Sequence, residues 1–361
     1  MESVVRGVLH QFVVGATPGD AITEHAFLLQ RWLQEDGFLS EIYAESIHPA
    51  LERQVKPYGE YRPSQPGELI ILHHSIGADL VDYLLNAGVR FLLIYHNITP
   101  STFFEPLDPQ LVVSLRRGQE QLNHLRDRTV LALGVSAFNE AELREVGYAH
   151  TGVLPIVLDA SRYNLPLNPD LLSCYRDGSP NLLFVGRLVP NKRQEDLIKL
   201  LCFYRRIEPS ARLLLVGPPW LPGYAQWLEE LVKELGLERA VVFAGYVPQR
   251  DLVTYYRLAD VYVSMSEHEG FGKPLIESMY LGVPVVAYAS AAVPETMGGA
   301  GILFHRKDYE ALAELIDIVI KDRVLRERLI TRQRERVQDF LEPRVRQVWK
   351  EFVWMALGNP L

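Results

Sequence analysis

The stretch Ser266-Glu267-His268-Glu269-Gly270-Phe271-Gly272-Lys273-Pro274-Leu275-Ile276-Glu277 follows the apolar run Val261 to Met265. The pairing predicts a buried parallel strand, a glycine-rich turn and then a helix. Chemistry would sit in the turn. Gly270 and Gly272 allow backbone conformations and close approaches that other residues resist. Pro274 suits the first helical turn, where a missing N–H costs nothing. Glu269 then lies in the loop and Glu277 roughly one turn into the helix. The two carboxylates can therefore face different parts of one long ligand. The N–H groups of Leu275, Ile276 and Glu277 are expected to point at an anion. Taken alone, the same spacing also fits two solvated acids beside an ordinary strand-to-helix turn.

The chain has 361 residues, which favours two domains of ordinary size, and 48% apolar residues give each half a core to bury. A net charge of −8 argues against a general nucleic-acid binder, though a local basic pocket remains compatible with it. Cys174 and Cys202 stand in no metal-ligand spacing, and a reducing cytosol is the simple expectation. The first residues lack an apolar core behind a basic start, so no signal peptide is expected. The longest apolar runs, such as Phe91 to Tyr95, are too short to span a bilayer.

Working outward along the chain, Val4 to Gly15 predicts a strand, residues 15–20 a turn, residues 22–35 a helix and Leu39 to Ala44 a second strand. That is a βαβ opening, with a loop where open sheets bind ligands. Leu69 to His74 and Arg90 to Tyr95 read as buried strands, the second running into His96-Asn97. Helical spacing covers Leu111 to Arg128, and Val130 to Ser136 and Gly152 to Leu158 close the first half. Residues 159–180 are rich in Pro, Asn and Ser and predict a linker. The pattern then restarts with a strand at Asn181 to Val185, the turn Gly186-Arg187-Leu188-Val189-Pro190-Asn191-Lys192, and a helix at Gln194 to Tyr204. Strands follow at Arg212 to Val216, Val241 to Ala244, Val261 to Met265, Val283 to Tyr288 and Ile302 to Phe304. Three helical segments end the chain, the last at Glu342 to Leu357 with Val345, Val348, Trp349, Phe352 and Val353.

Glu269 and Glu277 with seven residues between them, preceded by Gly186-Arg187 and Lys192, resemble the signature of the retaining glycosyltransferases of family GT4. The resemblance covers nearly the whole chain. It implies an α/β GT-B fold, with two doubly wound Rossmann-like domains facing across a cleft. The implied boundaries are 1–162 for the acceptor-side domain, 163–180 for the linker, 181–339 for the nucleotide-sugar domain and 340–361 for a helix crossing back. It also implies transfer of a sugar from a nucleotide diphosphate sugar (NDP-sugar) to a hydroxyl of a carbohydrate or glycolipid acceptor. Arg187 and Lys192 would hold the pyrophosphate, where a fixed cation gains most as charge develops on the leaving phosphate. Glu269 would bond sugar hydroxyls and Glu277 the ribose. Gly186, Gly270, Phe271, Gly272, Lys273, Leu275 and Ile276 would complete the donor site. Tyr246 and Val247 match the segment that brackets the base, and His96 the histidine that contacts the donor sugar.

Several positions depart from the family pattern. Gly19-Asp20 stands where a glycine pair is usual, so Asp20 either touches donor or acceptor or simply caps the helix. Ala291-Ala292, before Val293-Pro294-Glu295, replaces glycines found in many relatives. Residues 111–128 would lie on a membrane if they act as in some GT4 enzymes with lipid acceptors, whereas their mixed charge favours a solvated face. No Asp-x-Asp occurs in the sequence. A metal-independent enzyme without cofactor is expected, in the cytoplasm or at the inner face of the membrane, with no nucleic-acid partner. Two other readings stay open: an epimerase or hydrolase of NDP-sugars, and a non-catalytic sugar-nucleotide-binding partner.

Overall fold

The computed structural model describes residues 6–358. Positions 4 and 5 of the first predicted strand and the extreme ends of the assigned domains lie outside these. The chain forms two compact units, one running to Val157 and including the residues from Pro343 on, the other Leu158–Glu342.

In the first unit, β1 (Gly7–Val8), β2 (Gln11–Ala16), α1 (Ala21–Glu35), β3 (Phe38–Leu39), β4 (Ile42–Ile47), β5 (Val55–Pro57) and β6 (Leu69–His74) come first. They are followed by α2 (Asp79–Asn86), β7 (Arg90–Tyr95), α3 (Pro109–Leu125), β8 (Thr129–Gly134), α4 (Ala137–Val146) and β9 (Thr151–Val153). Seven of these strands make one sheet in the order β5-β4-β2-β6-β7-β8-β9, with every pairing parallel. The central strands are mostly apolar, as strands buried on both faces of a sheet are. Ile70, Ile71, Leu72, Phe91, Leu92, Leu93, Ile94 and Tyr95 are fully buried.

The predicted strand from Val4 splits in two. Gly7 and Val8 pair with Phe38 and Leu39, while Gln11 onward enters the main sheet. The arginines of α3 are engaged by acids, Arg116 with Glu105 at 2.9 Å and Arg117 with Asp79 and Asp82 at 2.6 Å each. This fits a solvated outer face.

The second unit contains α5 (Pro169–Tyr175), β10 (Asn181–Val185), α6 (Gln194–Tyr204), β11 (Arg212–Val216), α7 (Pro222–Glu234), β12 (Val241–Gly245), α8 (Gln249–Leu258) and β13 (Val261–Ser264). Then come α9 (Lys273–Leu281), β14 (Val285–Tyr288), α10 (Val293–Met297), β15 (Ile302–Phe304), α11 (Tyr309–Lys321) and α12 (Arg323–Val337), while the last helix, α13 (Glu342–Ala356), belongs to the first unit. Its sheet runs β12-β11-β10-β13-β14-β15, again parallel throughout.

Residues 163–180, read as the interdomain linker, lie within the span of this unit. Asn168 caps α5, its backbone N–H donates to Thr254 Oγ1 at 2.9 Å and its side chain to Asp251 at 2.8 Å. Asn168 and Pro169, which contributed to the linker reading, serve as a helix start.

Helix α13 packs within the first unit. Val345, Trp349 and Val353 are buried. Arg346 lies over the Trp32 ring at 5.9 Å and pairs with Glu35 at 2.6 Å. Lys350 reaches Asp36 at 3.1 Å.

Among the described residues, no helix is long and apolar enough to cross a membrane.

Candidate functional site

In a parallel sheet, neighbouring crossovers diverge where the strand order reverses, and the loops at the carboxyl ends of the two flanking strands frame a crevice. In the second unit that point lies between β10 and β13, which pair through Leu182 with Val261 and Leu183 with Tyr262. The two loops that begin there are stitched together. Glu267 N–H donates to the Asn191 carbonyl at 2.9 Å, and Asn191 Nδ2 donates to the His268 carbonyl at 3.1 Å. Lys192 Nζ then sits 2.6 Å from Glu269 Oε2, with their side chains 19% and 15% exposed. Lys192 also lies 3.4 Å from the His268 carbonyl. Burial, and after it the charge of Lys192, hold the His268 imidazole down at about 4.

Arg187, on the same β10 loop, is exposed, and its guanidinium lies over the Trp220 ring at 4.8 Å. Stacking on a ring leaves the fork of donors open to an anion. Gly186 is pressed against the next loop, since a Cβ at Gly217 would meet its carbonyl oxygen at 2.0 Å.

The adjacent cations are differently placed. Arg193 pairs with Glu195 at 3.1 Å and with Asp196 and Glu267 at 3.4 Å, while Lys307 lies 2.7 Å from both Asp196 and Glu267. In that network two cations face three carboxylates, so both cations are already paired, and it supports the loops.

Gly272 is the N-cap of α9, at φ 84°, and a Cβ there would meet the Leu275 side chain at 2.8 Å. The helix begins directly after it, which corrects the expectation for its donors. Leu275 N–H already donates to the Gly272 carbonyl at 2.9 Å, and Glu277, fifth from the start, lies beyond the orphan donors. Phe271, Leu275 and Ile276 are buried, and the Phe271 carbonyl accepts from Thr296 at 2.6 Å. Gly270 lies in the loop, half-buried.

Glu277 is buried, and both its oxygens are engaged. Tyr163 donates to Oε1 at 2.5 Å and Tyr256 to Oε2 at 2.6 Å, with Lys273 Nζ 3.7 Å from Oε1. A ribose reaching Glu277 therefore has two tyrosine hydroxyls as competitors. Tyr246 is 69% exposed, beside the half-buried Val247 at the end of β12. The β14 loop joins the site because Ala292 N–H donates to the Glu269 carbonyl at 3.2 Å.

In the first unit the order reverses between β2 and β6. The exposed Gly19 and half-buried Asp20 follow β2. Asp20 caps α1, accepting from the N–H groups of Ile22 and Thr23 at 3.1 Å. His73 and His74 end β6, and His96 follows β7. His73 Nδ1 lies 2.9 Å from His96 Nε2, and His73 Nε2 lies 3.0 Å from Gln11 Oε1. His25 packs edge-on against both rings. These three histidines offer ligand atoms within 4.8 Å of one another and are the one group among the described residues able to hold a metal ion. Both nitrogens of His73 are, however, already engaged.

Sequence reasoning missed Gln11, Asn191, Tyr163, Tyr256 and Trp220 as neighbours of the candidate residues, because each is brought in by tertiary contact. One local signal was available in the backbone. Among the described residues, the non-glycine positions with positive φ are Asn97, Arg193 and Ala291. Each adjoins a candidate element: His96, Lys192, and the loop that holds Glu269. Stored strain of this kind concentrates at functional sites.

The chain is similar to known proteins in sequence and in fold. The family model for glycosyl transferases group 1 matches residues 175–336. O-antigen chain mannosyltransferase B of Escherichia coli is 28% identical over 258 residues, 68% of this chain and 65% of that protein. A GDP-mannose-dependent alpha-(1-6)-phosphatidylinositol monomannoside mannosyltransferase of Mycolicibacterium smegmatis is 31% identical over 152 residues, 40% of this chain and 39% of that protein. Mannosylfructose-phosphate synthase of Agrobacterium fabrum is 42% identical over 110 residues, 29% of this chain and 24% of that protein. The matched part thus spans 24% to 65% of these relatives' length.

Among solved structures, sucrose-phosphate synthase of Thermosynechococcus elongatus has a TM-score of 0.76 at 20% identity, covering 98% of this chain and 100% of that one. HepE of Anabaena in complex with UDP-glucose has a TM-score of 0.75 at 19% identity, covering 96% of this chain and 99% of that one. These likenesses give the fold, GT-B with a Rossmann-like sheet in each unit. Residues 175–336 thus resemble the glycosyl transferases group 1, and the chain has the GT-B fold of these solved structures.

Proposed function

We propose that the protein is a retaining, metal-independent glycosyltransferase of the GT4 type. It moves a sugar from an NDP-sugar to a hydroxyl acceptor in surface polysaccharide or glycolipid synthesis, in the cytoplasm or at the inner face of a membrane. The observation that carries this reading is the Lys192–Glu269 pair at 2.6 Å, seated where the strand order of the second unit reverses, with Arg187 on the same loop. Mannose from GDP-mannose is the donor we assign, supported by the mannosyltransferase names of the relatives from Escherichia coli and Mycolicibacterium smegmatis.

In this reading Arg187 grips a β-phosphate oxygen through its fork, and Lys192 exchanges Glu269 for the diphosphate. Both cations gain strength as the bond from the anomeric carbon to phosphate oxygen breaks and charge collects on the leaving group. Glu269, released from Lys192, accepts from sugar hydroxyls and stabilises positive charge at the anomeric carbon. The acceptor oxygen attacks on the face the phosphate leaves, and its proton passes to the departing phosphate. The configuration is retained, and no protein side chain need act as base. Glu277 takes the ribose hydroxyls, displacing a tyrosine hydroxyl, and His96 contacts the sugar. A lipid-linked acceptor would bring residues 111–128 to the membrane.

The test is incubation with GDP-mannose in EDTA, following GDP release and the anomeric configuration of the product across a panel of sugar acceptors. The expected result is acceptor-dependent release with retained configuration. A changed or free sugar formed without acceptor would favour the epimerase or hydrolase. Donor binding without any turnover would favour the non-catalytic partner.

A further inference from the structure

A cavity of about 630 Å3 opens on the second unit, lined by residues of the 160–164 segment, α8, α9 and α12. Every lining residue belongs to that unit. Helix α9 separates the cavity from the candidate donor loops. Gly272 caps its start in the loop of Glu269, whereas Tyr280, in the cavity wall, lies about 12 Å further along the axis.

Arg257 of α8 and Arg334 of α12 bring their guanidinium groups to the carboxyl end of α9. Arg257 Nη1 donates to the Leu281 carbonyl at 3.0 Å, and a Cβ at Gly282 would lie 4.0 Å from Arg334 Nη2. Capping does not account for both. The N–H groups of Gly282 and Val283 already close the helix on the Met279 and Ser278 carbonyls, at 3.2 and 2.9 Å. A cation at an exposed helix end gains only about 0.3–1 kcal/mol. Among the described residues neither arginine pairs with a carboxylate, and the Arg334 side chain makes no hydrogen bond. No acid lines the cavity. Two uncompensated cations thus share one concavity on a chain of net charge −8, and an anion between them relieves their repulsion.

The rest of the wall suits the body of an organic anion. Tyr280 offers a half-buried ring, tilted against Tyr163 with centroids 5.7 Å apart. The exposed side chains of Asn164 and Gln338 add amides. The volume falls within the range of about 300–1,000 Å3 found for small-molecule sites, more than inorganic phosphate would fill.

We propose that this cavity binds a small phosphomonoester. Such a group carries a charge of about −1.5 to −2 at pH 7, which matches the two guanidinium groups. Their forks bond its oxygens, and Tyr280 with the two amides takes the organic part. The site is additional to the donor site proposed above and does not depend on it.

Isothermal titration calorimetry on the full-length protein at pH 7.5 tests this, with glucose 6-phosphate, mannose 6-phosphate, GMP, inorganic phosphate and mannose as ligands. At least one of the three esters should bind one to one, well ahead of inorganic phosphate and mannose. The hexose esters and GMP tell a sugar phosphate from a nucleotide as the ligand. Arg334→Gln should weaken the ester about tenfold, or ~1.4 kcal/mol, and Arg257→Gln combined with it should abolish binding. Because the Arg334 side chain makes no hydrogen bond in the fold, its variant should melt with the wild type. Arg187→Gln, in the candidate donor loop, should leave the ester affinity unchanged. The proposal is overturned if no ester binds, or if Arg334→Gln binds as the wild type does. It is also overturned if Arg187→Gln removes the binding, which would place the ligand at the donor loops. Inorganic phosphate as tight as the esters would mean an adventitious ion only and would overturn it as well.

Discussion

Lys192 and Glu277 occupy contrasting surroundings, and their variants should fail differently. Lys192 is held by one carboxylate and one carbonyl at the edge of a loop. Lys192→Ala should therefore leave the melting temperature nearly unchanged while lowering kcat by at least ~2 kcal/mol of transition-state stabilisation, on the scale of one lost oxyanion donor. Steady-state kinetics beside a thermal melt checks this, and near-normal turnover would remove Lys192 from the phosphate clamp. Glu277, by contrast, satisfies two buried phenols, and Tyr256 in particular is kept neutral first by burial and then by this carboxylate. Glu277→Ala strands both hydroxyls, each costing about 1–3 kcal/mol, so stability should drop along with nucleotide affinity. Calorimetric melting would expose a Glu277→Ala variant as stable as wild type, which the double tyrosine contact does not allow.

At the scale of elements, the strand-to-helix loops hold the strain and the helices hold the scaffold. Ala291 sits at φ 46°, where a Cβ is unfavourable, and its neighbour Ala292 holds the Glu269 carbonyl. Ala291→Gly should relieve roughly 1 kcal/mol of that strain, partly offset by the greater freedom of the unfolded chain. A small rise in denaturation midpoint is expected, and a fall would mean that the alanine methyl is packed usefully. Trp349 carries the docking of α13 and is 1% exposed. Trp349→Ala should cost about 3–5 kcal/mol and be read as an early-melting first unit.

The strands most legible in the sequence were those buried on both faces. Leu69–His74, Arg90–Tyr95, Asn181–Val185 and Arg212–Val216 have the bounds read from their apolar runs. The short edge strand Val55–Pro57 has only Val55 buried and so carries no such run. Residues 159–180, read as a linker, contain α5, which their Pro and Asn did not announce because these residues mark helix starts as well as loops.

For the whole molecule, the histidines set the acid limit. Of the ten in the sequence, His10, His73, His74, His96 and His268 are held below their ordinary value chiefly by burial, His74 and His268 at about 4. A folded-state value below the unfolded one means that the unfolded chain binds protons first as pH falls. Their stabilisation is complete above about pH 6.5, and it is lost progressively as pH falls toward 4. Half-buried Glu142 and Asp260, raised by desolvation, act in the opposite sense but are fewer. Melting temperature should thus decline between pH 7 and 4, and a flat profile would argue against neutral buried imidazoles.

The paired glutamates, Arg187 and Lys192 were legible because they fall in one short segment each. Their mutual arrangement was not, since the Lys192–Glu269 contact joins loops 77 residues apart in sequence, as does the adjacent bond from Asn191 to the His268 carbonyl. The most direct test of the central claim is a thermal-shift series with GDP, UDP, ADP, CDP and dTDP in EDTA, run on wild type and Lys192→Ala. A ligand that binds only the native state at a hundred times its dissociation constant stabilises it by about 2.7 kcal/mol. The expected result is one clear responder, GDP, without metal, and a weakened response in the variant. No response from any nucleotide, or one that Lys192→Ala leaves intact, would contradict it.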